Sequence, residues 1–291
     1  MISPILAGSV TAVAYAVSTL GSARSSRLAG AVPAVAGVML VGTILLLPVA
    51  LFVTPIPANQ PVPASALVFA AVAGAANVAG LLLAYAAYRL GTVGIVSTIG
   101  STEGAVAAVI SVLAGQALAP GSGPALALVV IGVVLAATGG GHELEEGVAI
   151  SRNQSLRAAG LSACAALMLG IGLFVAGQAS ATLPPAWVVG PGRLMGVVLV
   201  ALPLAVMGRA RVPRKALPFI ALTGLAEVVG LMSFSVGAKQ DIAVTSVLGS
   251  MFAPMAAIAA FVLFRERLAP RQVAGIALVV VGIALLGAFA G

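Results

Sequence analysis

Residues 66–81 read ALVFAAVAGAANVAGL and residues 216–231 read ALPFIALTGLAEVVGL, identical at nine of sixteen positions without a gap. At the same offset, LAPGSGPALALVVIGVVL (118–135) matches LAPRQVAGIALVVVGIAL (268–285) at nine of eighteen positions. A duplication of this length in so apolar a chain marks a membrane protein assembled from two homologous halves. Secondary transporters are commonly built in this way, with the substrate held where the halves meet.

Composition settles the solvent. Of 291 residues, 61% are hydrophobic and only 7% are charged, whereas a soluble domain carries roughly 25% charged residues. The net charge of +7 is scattered over short loops. Loops of that kind set membrane orientation, and no basic face exists to follow nucleic-acid phosphates. The single cysteine, Cys164, lies in an apolar run, so no intrachain disulfide can form. The opening MISPILAGSV has no basic n-region and reads as the first span, not as a removable signal.

A span needs about 20 apolar residues. That ruler predicts an all-α integral membrane protein of ten transmembrane helices, at 2–22, 28–51, 65–88, 92–115, 121–138, 156–177, 185–207, 213–237, 240–264 and 269–289. Residues 1–138 form the first repeat, the polar stretch 139–155 (GGGHELEEGVAISRNQS, its first two residues GG) is a linker, and 156–291 form the second repeat. An odd number of helices per half brings the second half into the membrane from the opposite side, giving two inverted five-helix repeats.

Orientation follows from Lys and Arg. One set of loops holds Arg24, Arg27, Arg89, Arg152, Arg157, Arg209, Arg211, Arg214, Lys215, Arg265, Arg267 and Arg271, and the opposite set holds only Lys239. This bias places the first set in the cytoplasm and both termini outside, in a bacterial inner membrane.

The stretch SVLGSMFAPMAAIAAFVLFRERLAPRQVAGIALVVVGIALLGA (246–288) resembles the EamA repeat of the drug/metabolite transporter superfamily. Pro254, the Glu266-Arg267-Leu268 turn and Gly275 and Gly282 occupy that repeat's motif positions, and Arg193 in GPGRLMG matches an Arg frequent in its second helix. The first half departs: Gly104 stands where Pro254 stands, Gln116 where Glu266 stands, and Val38 approximately where Arg193 stands. The resemblance covers nearly the whole chain and implies a ten-helix exporter of metabolites or amino acids. It also implies cytoplasmic termini, against the charge bias, and we follow the charges.

A charged side chain at mid-bilayer costs roughly 2.5–3.5 kcal/mol on insertion scales, so each one needs a partner or a water-lined cavity. Three are expected at half depth: Glu103 near the middle of the fourth helix, Arg193 in the seventh and Glu227 in the eighth. Asn77 is the repeat partner of Glu227, so both third helices carry a polar group at one pseudo-symmetric spot. Glu227 reads as a substrate-ammonium contact or proton-coupling carboxylate, or else as one half of an ion pair with Arg193 that fastens two helices. Arg193 either receives a substrate carboxylate as a bidentate fork or only pairs with Glu227.

Glu103 is expected to face a cavity, with a buried bond to a neighbouring hydroxyl as the alternative. Tyr15, in mid-span of the first helix, is a further candidate for the cavity wall. Tyr88 and Trp187, at helix ends, read as interfacial belt residues, and Tyr85 borders the Asn77 face. Glu266 reads as structural, flanked by arginines just before a helix start. Ser246 and Ser250 form a polar stripe whose hydroxyls bond back to carbonyls.

Membrane-embedded enzymes, such as lipid-modifying transferases, need a catalytic set. This chain offers one Asp, Asp241 near a loop, and one His, His142 in the linker. An enzyme is therefore not expected, and neither is a metal or cofactor. No ATP-binding G-x-x-x-x-G-K-[ST] pattern appears either, so uphill work must draw on an ion gradient or the substrate's own. The expectation is alternating access for small organic solutes, amino acids first and cationic lipophilic drugs second, with protons as a candidate coupling ion. The chain would work as a monomer or homodimer in the lipid bilayer.

Overall fold

The computed structural model describes residues 3–56, 62–115, 124–125, 127–128, 131–132, 135, 142–143, 149–240, 242–264 and 270–290. Helix α1 (Pro4–Ala29) starts on Ser3, whose side chain accepts the Leu6 amide, with Pro4 in the first helical position. It stops at Gly30, whose φ of 90° an L side chain would strain. Next come α2 (Ala31–Pro48), α3 (Ala64–Leu90), α4 (Val93–Gly100) and α5 (Glu103–Leu113). Inside the predicted linker, β1 (His142–Glu143) pairs antiparallel with β2 (Ala149–Ile150).

The second half opens with α6 (Arg152–Ser180), inside the predicted linker, on a reciprocal capping box between Ser151 and Gln154. It continues through α7 (Pro185–Gly196), α8 (Leu202–Val206), α9 (Leu217–Ala238), α10 (Ile242–Gly249), α11 (Phe252–Phe264) and α12 (Pro270–Ala290).

Among the described residues, seven stretches are long and apolar enough to cross a membrane: Pro4–Ala29, Ala31–Val53, Ala64–Leu90, Val93–Ser111, Arg152–Ser180, Pro185–Val206 and Arg214–Ala238. Helices α10, α11 and α12 occupy the expected ninth and tenth spans, and most of the fifth, 121–138, lies outside the described residues.

The halves interlock reciprocally. The first helix of each packs along the third of the other, α1 on α9 and α6 on α3, while α2 and α7 meet between them. With no hydrophobic drive inside lipid, such contacts depend on close approach at small residues. A Cβ added to Gly74 would stand 2.5 Å from the Gly192 Cα, so α3 and α7 touch backbone to backbone. Similarly, Cβ atoms at Gly230 and Gly80 would run into the Tyr15 ring and the Leu169 side chain.

Two irregularities also recur at nearly the repeat offset. The expected continuous fourth span is interrupted at Ser101-Thr102 and the ninth at Ser250-Met251. Each second span relaxes into a π-helical turn, Val49–Val53 after α2 and Val197–Ala201 after α7. Helix α7 runs through Pro191, and the widened turn follows Gly196.

The Gly74–Gly192 contact is testable. Gly74→Ala should destabilise the protein by about 1–3 kcal/mol, the usual cost of overpacking. Gly160→Ala, in α6 with nothing within 4 Å of the added atom, should be neutral or slightly stabilising. Thermal unfolding in detergent compares the two, and equal midpoints would show that α3 and α7 do not touch there.

Candidate functional site

The interlocked helices enclose a cavity of about 90 Å³. A single water needs roughly 10–15 Å³ on this measure, so the space suits several waters or one small solute. Its wall draws Tyr15, Ser18 and Ser22 from α1, Asn77 and Tyr85 from α3, Glu103 from α5, Ser162 from α6, Glu227 and Ser235 from α9, and Phe252 from α11. Four of the five residues expected at the site line this one space: Glu227, Glu103, Asn77 and Tyr15.

Arg193 does not. It is 1% exposed, behind the wall formed by Gly192 and Glu227. Its Nη2 donates to Glu227 Oε2 at 2.9 Å, and its Nη1 approaches the Met39 thioether at 3.7 Å. Room for its stem comes from Gly42, where an added Cβ would lie 2.8 Å from Arg193 Cδ. The second carboxylate oxygen of Glu227 accepts from Ser18 Oγ at 2.8 Å. Glu227 is thus held at both oxygens, and the ion-pair alternative describes the observed geometry.

Glu103 stands apart. It opens α5 immediately after the interruption at 101–102 and is 4% exposed. No hydrogen bond or ion pair to its carboxylate occurs among the described residues. The nearby hydroxyls are engaged elsewhere: Ser97 and Thr98 donate to the Gly94 carbonyl, Ser101 to Thr98 and Thr102 to Ile99. Ser162 donates to the Val96 carbonyl at 2.7 Å. The alternative of a hydroxyl partner for Glu103 is therefore corrected, because each hydroxyl finds a nearer carbonyl in a helix.

Tyr15 and Phe252 meet edge to face, centroids 5.9 Å apart and planes at 81°. Tyr85 and Tyr88 are 1% and 6% exposed and both line the cavity. That corrects the belt reading of Tyr88: although two residues from the end of α3, its side chain is buried toward the cavity and not presented to lipid. Trp187, half-buried at the start of α7, donates its indole N–H to the Thr54 carbonyl at 2.9 Å.

The motif residues divide. Gly104 is buried, and a Cβ there would collide with Ser250 Oγ and the Ser246 carbonyl. It therefore admits a neighbouring helix and not a ligand. Pro254 lies within α11, and Glu266 lies outside the described residues. Ser250 bonds back to the Ser246 carbonyl at 3.0 Å, as expected, whereas the buried Ser246 Oγ has no partner among the described residues, against the expectation for it. Sequence reasoning missed Ser18, Met39 and Phe252. A polar residue in mid-span signalled the first of these, and nothing distinguished the other two from core.

The model of the EamA-like transporter family matches residues 2–138 and again residues 156–288. The chain belongs to the EamA-like transporter family. The two matched segments coincide with the two sequence repeats, so this EamA-like protein carries the family unit twice. No curated protein matches it. Among 23 matching chains of solved structures is one described as "Crystal structure of protein", similar at TM-score 0.67 and 17% identity, covering 99% of this chain and 97% of that chain. At that identity the likeness speaks for the fold alone.

The bonding pattern sets up a thermodynamic cycle. Arg193→Met strands the Glu227 carboxylate in a buried site, an expected loss of about 3–5 kcal/mol. Adding Glu227→Gln to Arg193→Met removes the stranded charge and should recover much of that loss. Ser18→Ala, which deletes one hydrogen bond to a charged group, should cost about 1.5–3 kcal/mol. Thermal unfolding of the singles and the double measures the coupling, and purely additive losses would mean that the pair contributes no mutual stabilisation.

Proposed function

We propose that this EamA-family transporter exports small organic metabolites by alternating access across a bacterial inner membrane, driven by protons moving inward. Its repeats would be inverted, completing ten spans. The observation that carries this reading is the cavity between the interlocked halves, walled by two carboxylates, of which Glu227 also braces Arg193 while Glu103 has no partner among the described residues. Buried ionisable groups facing a water-sized space mark ion and solute pathways in membrane proteins. The duplicated helix interruptions supply the broken spans that transporter sites commonly use. Two solute classes compete for the cavity: amino acids, and compounds carrying positive charge alone.

Proteoliposomes test the reading directly. Labelled amino acids and labelled organic cations are offered to vesicles under imposed pH gradients of either sign. Accumulation of one class that follows the proton gradient is expected for the wild type. Glu227→Gln, made together with Arg193→Met so that no buried charge is stranded, should insert, fold and lose most flux or its pH dependence. Normal, pH-dependent flux in that variant would leave Glu227 a brace only.

The proposed orientation has both termini outside, a reading supported by the twelve basic residues on one set of loops against one on the other. A reporter fused at Gly291 that is active only outside the cytoplasm should be active. A bright cytoplasm-only reporter at the same position would overturn this orientation.

A further inference from the structure

Resting on the transporter reading, we propose that the ligand of this cavity is a small organic cation without a carboxylate, held by Glu103 against the aromatic wall of Tyr15, Tyr85 and Phe252. The first support is the difference between the two carboxylates. Glu227 is occupied at both oxygens, by Arg193 and Ser18, whereas Glu103 is 96% removed from solvent, 4% exposed, and has no partner among the described residues. A buried polar group without a partner is costly, and a complementary charge arriving with a ligand removes that cost. The hydroxyls around it do not fill the role, since they donate to helix carbonyls.

The second support is the place of Arg193. An amino acid needs a receptor for its carboxylate as well as for its ammonium group. Arg193 is the one Lys or Arg expected at mid-span, and it lies behind the wall with Nη2 on Glu227 and Nη1 against Met39. A ligand carboxylate entering the cavity would face Glu103 and Glu227 with no cation exposed to it among the described lining residues. Like charges at close range in a dry site are repulsive, and the repulsion excludes the zwitterion more than the cation.

The wall completes the match. Tyr15, Tyr85 and Phe252 offer π-faces of the kind that receive alkylammonium groups. Ser235 Oγ, buried and unpartnered on the same wall, is available to a ligand hydroxyl. The volume of about 90 Å³ limits the ligand to a small one.

Choline and glycine betaine share a trimethylammonium head and differ in that only betaine ends in a carboxylate. Calorimetric titration of the full chain in detergent should show choline binding and betaine binding at least tenfold weaker. Glu103→Gln should lower choline affinity at least tenfold while unfolding near the wild-type temperature. Glu103→Asp should retain part of the affinity, and Phe252→Leu should weaken binding without touching a charge, which keeps the proposal testable should Glu103→Gln misfold. Absence of choline binding to the wild type overturns the proposal. So does betaine binding equal to that of choline, or a folded Glu103→Gln variant that binds as the wild type does.

Counterflow in proteoliposomes separates this claim from the transporter reading. Choline that binds but never exchanges leaves the cation site and sinks transport of that ligand. Exchange of betaine or amino acids without choline keeps the transporter and overturns the cation site.

Discussion

The structure depends on placing one guanidinium inside a bundle of helices that offers it almost no water. Arg193 is 1% exposed, and a lone charge there would drive the helices apart or drag solvent in. Glu227 answers it at 2.9 Å, and Ser18 holds the other carboxylate oxygen at 2.8 Å. Three helices are tied by these two contacts: α1 and α9, which interlock the halves, and α7, which presses on α3 through Gly74 and Gly192. The absent side chain at Gly42 lets α2 approach the arginine stem, and Met39 on the same helix places its thioether by the other nitrogen. Small residues and a charged pair thus serve one end, since only close backbones bring the charges within bonding distance.

The scaffold repeats, but the charges do not. At the strict offset of 150, Glu227 corresponds to Asn77, Glu103 to Ala253 and Arg193 to Thr43, five residues beyond the Val38 approximately aligned with it above. Thr43 spends its hydroxyl on the Met39 carbonyl and Ala253 is buried, so neither carries a charge that could mirror the site. A duplicated frame with a single-copy set of ionisable groups gives the cavity one negative flank and no second, equivalent site. Each carboxylate then has its own surroundings: Glu227 fixed by partners from two helices, Glu103 without one at the start of a half-helix.

Much of this was legible in the sequence because the physics of lipid is simple. The repeat offset read from residues 66–81 and 216–231 is within two residues of the spacing at which interruptions and π-turns recur. The cost of charge in lipid singled out Glu103, Arg193 and Glu227. What stayed hidden depends on angles around helices and on neighbours distant in sequence. Whether Arg193 faced the cavity or Glu227 was undecided from composition, because both options satisfy the same cost. The interruption at Ser101-Thr102 carries no proline to announce it, and Tyr88 read as a rim residue because α3 continues further than a minimal span. Ser18 and Phe252 became visible only once α1, α9 and α11 were set side by side.

The two interruptions show how the halves keep a backbone feature while changing the chemistry that makes it. In the second half Pro254 has no N–H to bond to the Ser250 carbonyl, so the ladder must lapse at that place. The first half has Gly104 there, with its N–H intact. Ser101 and Thr102 donate their hydroxyls to the Thr98 and Ile99 carbonyls at 2.9 and 2.7 Å, as serines do within the unbroken α1. Gly104 is then free to serve packing, and Ser250 and the Ser246 carbonyl close directly onto it. The missing side chain that lets the two interrupted spans meet is thus on the side that does not need a proline. One half carries a proline at the break and the other a glycine, and the glycine is where the two interrupted spans meet beside Glu103.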